Sequence, residues 1–166
     1  MRWARIFRAL RIMELSGEIV CGHFFSGINS LQFMSQNAFH VLKNGLNEDA
    51  VFWLNACDPA SMCGIKLEGL PYRFPRRVSS THLVYHGTKP VLISTKNGRE
   101  LEFLVPPGSP YIADCQGFFN TLLTRDFRPV NAIRVGKVNS IPVRKSPYRE
   151  ALESCGFLKK ATWIIS

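Results

Sequence analysis

The feature that most constrains the fold is a short amphipathic pattern that ends at Ser16 and Gly17. Apolar residues recur before this point at the spacing of one helix face: Trp3, Ile6, Phe7, Leu10 and Met13. Arginines recur at every third position, so they drift around the helix by about 60° per step instead of forming one line. The pattern predicts a helix over residues 2–16 with a buried apolar stripe, ended by a glycine in the left-handed C-cap conformation.

The next segment has the alternating and turn-rich character of a β-hairpin. Residues 18–25 read as a strand, residues 26–30 supply turn residues, and residues 31–34 read as a short return strand. Ser35 is a good N-cap for a second helix that ends at Asn44 and Gly45. A basic helix followed by such a hairpin is interpreted as part of a winged-helix module, with the hairpin as its β wing.

Composition changes after Asp49, and most of the remaining chain has the pattern of strands. Residues 50–56 are nearly all apolar and include β-branched and aromatic residues, which predicts a central buried strand. Asn97 and Gly98 lie between two β-like runs, the strongest short signal for a hairpin, and predict a three-stranded meander through Val105.

The other elements complete the predicted second module. Helices are expected over residues 111–126 and after Ser146, a further hairpin over residues 132–143, and a closing strand over residues 161–165. The chain is therefore predicted to be an α+β protein with two modules. Residues 1–46 form a partial winged helix, and residues 50–166 form a small antiparallel β-barrel or curled sheet with two helices.

Composition excludes several classes of protein. The longest apolar runs fall far short of the roughly 20 residues that a membrane-spanning helix needs. The N-terminal arginines lie inside the apolar pattern, so no separate signal core exists and a cytoplasmic location is expected. Five cysteines without a CxxC pair argue against a zinc site or a disulfide framework and favour reduced thiols in the core. No metal site is expected.

The charge is informative because it is large and uneven. The chain has 21 Lys+Arg against 12 Asp+Glu, a formal charge of +9. The first four arginines precede any acidic residue, and between Arg125 and Arg149 Asp126 is the single acidic residue. Such a balance attracts nucleic acid or another polyanion through phosphate contacts. The alternative is that the cations only keep a surface soluble.

Several stretches together resemble one known family. WARIFRALRIMELSGEIVCGHFFSG resembles the helix and wing of the bacterial large helicase-related proteins, called Lhr, with their LRRLE, GEI and GGRF pattern. WLNACDPASMCG resembles the DPANPYG segment of that family, with matches at Asp58, Pro59, Ala60 and Gly64. Arg76 and Arg77 resemble an RR stretch before a strand pair, and SPYREALESCGF resembles the closing helix. These matches follow the family order along nearly the whole chain.

The resemblance implies a C-terminal piece of an Lhr-type protein, with part of a winged helix followed by a β-barrel module. Proteins of this family are ATP-dependent translocases that move on single-stranded DNA and unwind duplexes or RNA:DNA hybrids in DNA repair. Their extended C-terminal regions also look like winged-helix DNA glycosylases that act on interstrand crosslinks. The expected partners are therefore these nucleic acids and the remaining domains of a parent helicase.

Departures from the family pattern limit what this chain does alone. No GxxxxGK[ST] loop occurs, so ATP and Mg²⁺ are implied only for motor domains outside the chain. The glycosylases carry a Gln-x-Gln element, whereas Gln32 and Gln36 here stand four apart. His23 stands where the wing of the family has arginine, and Met62 and Cys63 replace the first two residues of its PYG. The helices that normally precede a recognition helix would lie before Met1, so a truncated or split product is expected.

The predicted nucleic-acid-binding residues are basic residues in five segments, and no catalytic residue is assigned. They are Arg5, Arg8, His23, Arg76, Arg77, Lys137, Arg144 and Lys145. Two alternatives stay open. The chain is a DNA glycosylase module with Asp58 or Asp114 as its carboxylate, or it is a platform that docks another protein.

Overall fold

The computed structural model describes residues 3–25, 28–66, 73–126, 129–159 and 163–165. Within those ranges it is a mixed α+β structure with four α-helices and eleven short strands. The described residues fall into two compact units, one ending at Asn47 and the other starting at Glu48. None of the described helices is long and apolar enough to cross a membrane.

The first unit has the predicted order of helix, hairpin and helix. Its elements are α1 (Trp3–Leu15), β1 (Ile19–Gly22), β2 (Gln32–Ser35) and α2 (Gln36–Asn44). The strands β1 and β2 pair in antiparallel fashion, with Ile19 opposite Ser35 and Gly22 opposite Gln32. The hairpin that was interpreted as a wing is therefore present.

The C-terminus of α1 and the N-terminus of α2 have the capping contacts that the sequence predicts. Gly17 has a φ of 78° and donates to the carbonyl of Glu14 at 3.0 Å, while Glu18 donates to the carbonyl of Met13 at 2.9 Å. These two bonds form a Schellman motif, which stops α1. At the start of α2 the Ser35 hydroxyl accepts a hydrogen bond from the amide of Ala38 at 3.1 Å, which confirms the predicted N-cap.

The apolar stripe of α1 is less covered than the sequence predicts. The Phe7 ring meets Phe33 of β2 edge to face, with centroids 6.0 Å apart, so the stripe does pack on the hairpin. No described residue of α1 is buried, however, and Trp3 is 64% exposed. The expectation of a buried stripe was therefore wrong: Ile6, Phe7 and Leu10 are only partly covered, and Trp3 and Met13 at its two ends are exposed.

The second unit contains the remaining strands and helices. Its strands are β3 (Val51–Asn55), β4 (His82–His86), β5 (Lys89–Thr95), β6 (Glu100–Phe103), β7 (Ile133–Val135), β8 (Lys137–Val138), β9 (Ile141–Pro142), β10 (Leu158–Lys159) and β11 (Trp163–Ile165). Its helices are α3 (Cys115–Thr124), α4 (Arg149–Ser154) and two 3₁₀ turns, Pro110–Ile112 and Val143–Lys145.

The strands form an open sheet, which corrects the predicted barrel. Six strands run in the order β3-β4-β5-β6-β8-β9, and the described strands β7, β10 and β11 form a separate sheet. No described residues join the two edges of the larger sheet, so it is not closed. One pair, β6 with β8, is parallel, so the sheet is not purely antiparallel. The predicted central strand, β3, lies at an edge, where Val51 is 39% exposed.

The meander β4-β5-β6 follows the sequence prediction closely. Asn97 and Gly98 in the β5–β6 turn have φ angles of 56° and 85°, the positive region that made the pair a hairpin signal. A Cβ at Gly98 would also collide with the side chain of Ile133. Glycine is therefore required there for both backbone and packing reasons.

Both faces of the large sheet are packed. One face lies against α3, where the buried residues include Leu92, Phe103 and Phe118. The other face carries a smaller cluster in which Leu83 and Ile93 pack with Cys63 from the loop after β3. The described part of this loop that contains Cys63 thus contributes to the core.

The predicted helices of this unit are shorter than expected. The helix predicted over residues 111–126 is split, because the 3₁₀ turn Pro110–Ile112 precedes α3. The Ser146 hydroxyl accepts from the amide of Tyr148 at 3.3 Å, yet α4 begins at Arg149. The serine therefore organises a turn before the helix and does not act as its N-cap residue.

The five cysteines are free thiols, but the prediction that they lie in the core holds for three of them and is wrong for Cys21 and Cys57. Cys63, Cys115 and Cys155 are buried, whereas Cys57 is exposed. Burial raises the pKa of the Cys155 thiol to about 11 and also raises the pKa of Cys115. Protonated thiols in the core behave as small apolar side chains.

Candidate nucleic-acid interface

The arginines of α1 differ in whether they have an acidic partner. Arg5 and Arg8 are exposed and line a shallow groove of about 320 Å³ on the outer face of α1, together with Ala4, Ala9 and Ile12. Arg11 instead forms an ion pair with Glu14 within the helix. Arg2 lies outside the described residues. The structure thus brings Arg5 and Arg8 together on one surface.

The wing carries His23 on an exposed position directly after β1. The backbone beyond it is held by a residue that sequence reasoning did not select. The Gln32 side chain accepts hydrogen bonds from the amides of Phe24 at 2.7 Å and Phe25 at 2.8 Å, and donates to the carbonyl of Ile28 at 3.1 Å. A glutamine at the end of a turn rich in Gly, Ser and Asn was the available signal, because such turns need side-chain partners for their backbone.

Arg76 and Arg77 are neighbours in sequence but have different surroundings. Arg76 is exposed. The guanidinium of Arg77 donates to the carbonyl oxygens of Cys63 at 3.0 Å and Ser61 at 2.9 Å, and lies 3.2 Å from that of Asp58. Arg77 therefore holds the loop after β3 in place, which differs from the phosphate contact predicted for it.

Asp58 also stabilises the loop after β3. Its Oδ1 accepts a hydrogen bond from the amide of Ala60 at 2.8 Å, which is the geometry of an Asx turn. Among the described residues, the hydrogen bond that the Asp58 carboxylate accepts comes from the backbone of its own turn. This contact explains Asp58 as a turn residue and gives no support to the catalytic role considered for it. The other candidate carboxylate, Asp114, bonds through Oδ2 to Nδ1 of His86 at 2.7 Å.

Lys137 lies beside acidic side chains. It lines a cleft of about 310 Å³ with Glu100 and Glu102, and Glu100 is directly opposite it in the parallel β6–β8 pair. The pKa of Glu100 is lowered, first by a hydrogen bond from Lys96 and also by the charges of Lys96 and Lys137. A phosphate approaching Lys137 would meet these carboxylates, so this lysine is less suited to an anion than its charge suggested.

The second basic surface surrounds the turn before α4. Arg144, Lys145 and Arg149 line an open cleft of about 330 Å³, together with Ser146, Pro147 and Glu150. The described lining of this cleft thus contains three cationic side chains and one carboxylate. We call Arg144, Lys145 and Arg149 the basic cleft. Arg144 and Lys145 were both predicted as phosphate ligands, whereas Arg149 was predicted only to belong to the basic C-terminal run.

His82 is engaged in packing and polar contacts inside the second unit. His82 is 6% exposed, and its Nε2 lies 3.0 Å from the Asn55 side-chain nitrogen. Burial, with the nearby charge of Arg125, lowers the pKa of His82 to about 4, so the ring is neutral. Within the described ranges no three His, Cys, Asp or Glu side chains are grouped as a metal site would require.

The comparisons with known proteins concern the first unit. Residues 1–52 match the family model of the winged-helix domain of the large helicase-related protein, which is 52 of the 166 residues. A search of curated proteins finds no match for the chain. The N-terminal unit, with its helix, hairpin and second helix, is therefore similar to a winged-helix domain of a helicase-related family.

Proposed function

We propose that this chain is a DNA-binding accessory module of an Lhr-type ATP-dependent DNA helicase, acting in DNA repair and without catalysis of its own. The observation that carries the proposal is the match of residues 1–52 to the winged-helix domain of that family. The exposed pair Arg5 and Arg8 on α1 supports it, because arginines on an open helix face can contact phosphates without rearrangement.

The second unit would add further phosphate contacts through its basic cleft. Arg144, Lys145 and Arg149 lie around an opening of about 330 Å³. This opening can hold a backbone phosphate group of a nucleic-acid strand. Arginine suits this task because its planar fork can bind two phosphate oxygens at once. Such contacts give affinity that does not depend on base sequence.

The predicted binding residues contribute unequally in this proposal. Arg76 is retained as a phosphate ligand because it is exposed. His23 is retained on the wing, where it would contact the backbone. Arg77 acts by holding its loop, and Lys137 contributes little because Glu100 faces it. The module would grip single-stranded DNA, duplex or RNA:DNA hybrid for motor domains that bind ATP and Mg²⁺ elsewhere.

The test is fluorescence anisotropy of the purified chain with labelled single-stranded DNA, duplex and RNA:DNA hybrid over a salt series. The proposal predicts micromolar or tighter binding, with log affinity falling linearly against log salt. Absence of binding at low salt would contradict it and would favour docking to another protein, for which the exposed Trp3, Ile12 and Leu15 provide apolar surface.

A second candidate, a DNA glycosylase activity, is favoured by the contact between Asp114 and His86. Their carboxylate and imidazole atoms are 2.7 Å apart, and each side chain keeps about a fifth of its surface exposed, 23% and 20% respectively. A carboxylate that orients a histidine is one arrangement for activating water. Incubation with oligonucleotides carrying damaged bases tests it. Abasic sites formed by the wild type and lost in Asp114→Asn would support this activity; no product would exclude it for the bases tested.

A further inference from the structure

One side chain holds the described part of the β1–β2 hairpin tip, residues 23–25 and 28–31. The Gln32 carboxamide accepts the amides of Phe24 and Phe25 and donates to the carbonyl of Ile28, so it contacts both arms of the connection. All three distances lie between 2.7 and 3.1 Å, which is the range of well-formed hydrogen bonds. A loop end held in this way presents its side chains in defined positions.

The two phenylalanines at this tip have different surroundings. Phe24 is half-buried, with its ring centroid 6.2 Å from that of Phe39 on α2. A Cβ at Gly22 would lie 3.1 Å from the Phe24 ring, so that ring packs closely on the hairpin backbone. Phe25 is 55% exposed, and among the described residues no aromatic ring stacks on it. Phe24 therefore anchors the wing, while Phe25 faces outward.

An exposed aromatic ring on an anchored backbone suits one class of ligand in a nucleic-acid-binding protein. A nucleobase in single-stranded DNA or RNA has an accessible face that can stack on such a ring. Bases within a duplex are already stacked on their neighbours, so they offer no free face. The neighbouring His23 is exposed as well and can meet the backbone of the same strand.

We propose that Phe25 is a stacking site for an unpaired nucleobase and that Gln32 is the residue that positions it. This inference rests on the nucleic-acid-binding function proposed above and adds the part of the ligand that the wing contacts. The site discriminates between single-stranded and paired nucleic acid by the availability of base faces. It reads no base sequence, because every base has such a face.

The test uses single-stranded oligothymidylate with one 2-aminopurine, a base whose fluorescence is quenched by stacking. The wild-type chain should quench it, and Phe25→Ala should lose the quenching and weaken single-strand binding by about 5- to 150-fold, since one stacked base is worth about 1–3 kcal/mol. Phe25→Trp should retain both. Leu31→Ala is the matched control, because Leu31 is an apolar residue of the same hairpin and is 48% exposed.

The role of Gln32 is tested by a double-mutant cycle. Gln32→Ala should weaken single-strand binding when Phe25 is present and have little further effect in the Phe25→Ala background, because both changes remove the same contact. A general structural role would weaken binding equally in both backgrounds. Duplex affinity serves as the reference measurement, and it should change little in Phe25→Ala.

The outcomes separate this inference from the function on which it rests. If the wild type binds with the expected salt dependence but Phe25→Ala binds and quenches equally well, the stacking site is wrong and the proposed function stands. If the wild type binds duplex or hybrid but no single strand at low salt, the stacking site is wrong and the proposed function stands. If it binds none of the three nucleic acids, both are wrong. Selective loss of quenching in Phe25→Ala, with Leu31→Ala unchanged, supports both.

Discussion

The Nε of Arg77 donates a hydrogen bond to the carbonyl oxygen of Cys63 at 3.0 Å, across fourteen residues of chain. The same guanidinium donates to the carbonyl of Ser61 at 2.9 Å. Cys63 is fully buried and belongs to the cluster on one face of the large sheet. Arg77 therefore connects an exposed charge to the packing of the loop after β3.

This relationship predicts that the two adjacent arginines respond differently to substitution. Arg77→Ala should lower the free energy of unfolding by about 1–3 kcal/mol, because several loop carbonyls lose a charged donor. Arg76→Ala should change stability by no more than about 0.5 kcal/mol, as for an ordinary surface site, while weakening DNA binding for all sequences alike. Urea unfolding followed by tryptophan fluorescence measures the first effect and anisotropy the second.

Two results for Arg76→Ala and Arg77→Ala would contradict these assignments. Equal stability of the two variants would show that the Arg77 contacts contribute nothing to the loop. Unchanged affinity and salt slope in Arg76→Ala would remove Arg76 from the interface.

Buried His82 predicts a pH dependence of stability. Its pKa is lowered from 6.5 to about 4, chiefly by burial, so the unfolded chain takes up the proton more readily than the folded chain. Stability should be unaffected by this group above about pH 6.5 and should fall between about pH 6.5 and 4, by up to about 3 kcal/mol. Thermal unfolding midpoints at pH 7.5, 6 and 5 measure the effect.

The variant His82→Gln isolates this contribution. It keeps a polar side chain beside Asn55 but does not titrate, so part of the decrease between pH 6.5 and 5 should disappear. His40→Gln is the control, since His40 is an exposed residue of α2, and it should retain the wild-type pH dependence. An unaltered slope in His82→Gln would contradict the assignment.

The β8–β9 turn gives a pair of opposite predictions. The Asn139 carboxamide bonds to both the amide of Phe103 at 2.8 Å and its carbonyl at 3.0 Å, so it continues the pairing of β6. Asn139→Ala should therefore destabilise the protein by about 1–3 kcal/mol. Ser140 has a φ of 65°, and Ser140→Gly should stabilise it by about 0.5–1 kcal/mol because glycine adopts this conformation without strain. Urea unfolding of both variants checks the signs, and a stabilised Asn139→Ala would contradict this account.

Local signals explain which parts of the fold were predictable. Gly17, Ser35 and the Asn97–Gly98 pair act through neighbouring backbone atoms, so their helix ends and hairpin turn can be predicted from a few residues. The edge position of β3 depends on which strands pair with it, and an apolar run is compatible with either a central or an edge strand. Local pattern therefore could not distinguish the open sheet from the predicted barrel.

The candidate site shows the same limit for side chains. Sequence shows that Arg5, Arg8 and Arg11 are cations on one helix, but the pairing of Arg11 with Glu14 depends on the rotamers chosen in the folded helix. Arg77 and Lys137 were selected for charge, yet their partners, the carbonyl of Cys63 and the carboxylate of Glu100, come from distant segments. Gln32 was missed because its function depends on three backbone groups of the turn.

The most direct test of the central claim compares the salt dependence of DNA binding in single variants of α1. Arg5→Ala and Arg8→Ala should each lower affinity for every sequence and reduce the slope of log affinity against log salt by about 1. Arg11→Ala removes the same charge from the same helix but from an ion pair, and it should leave the slope unchanged. Equal slopes in the wild type and in all three variants would contradict a DNA-binding role for this helix.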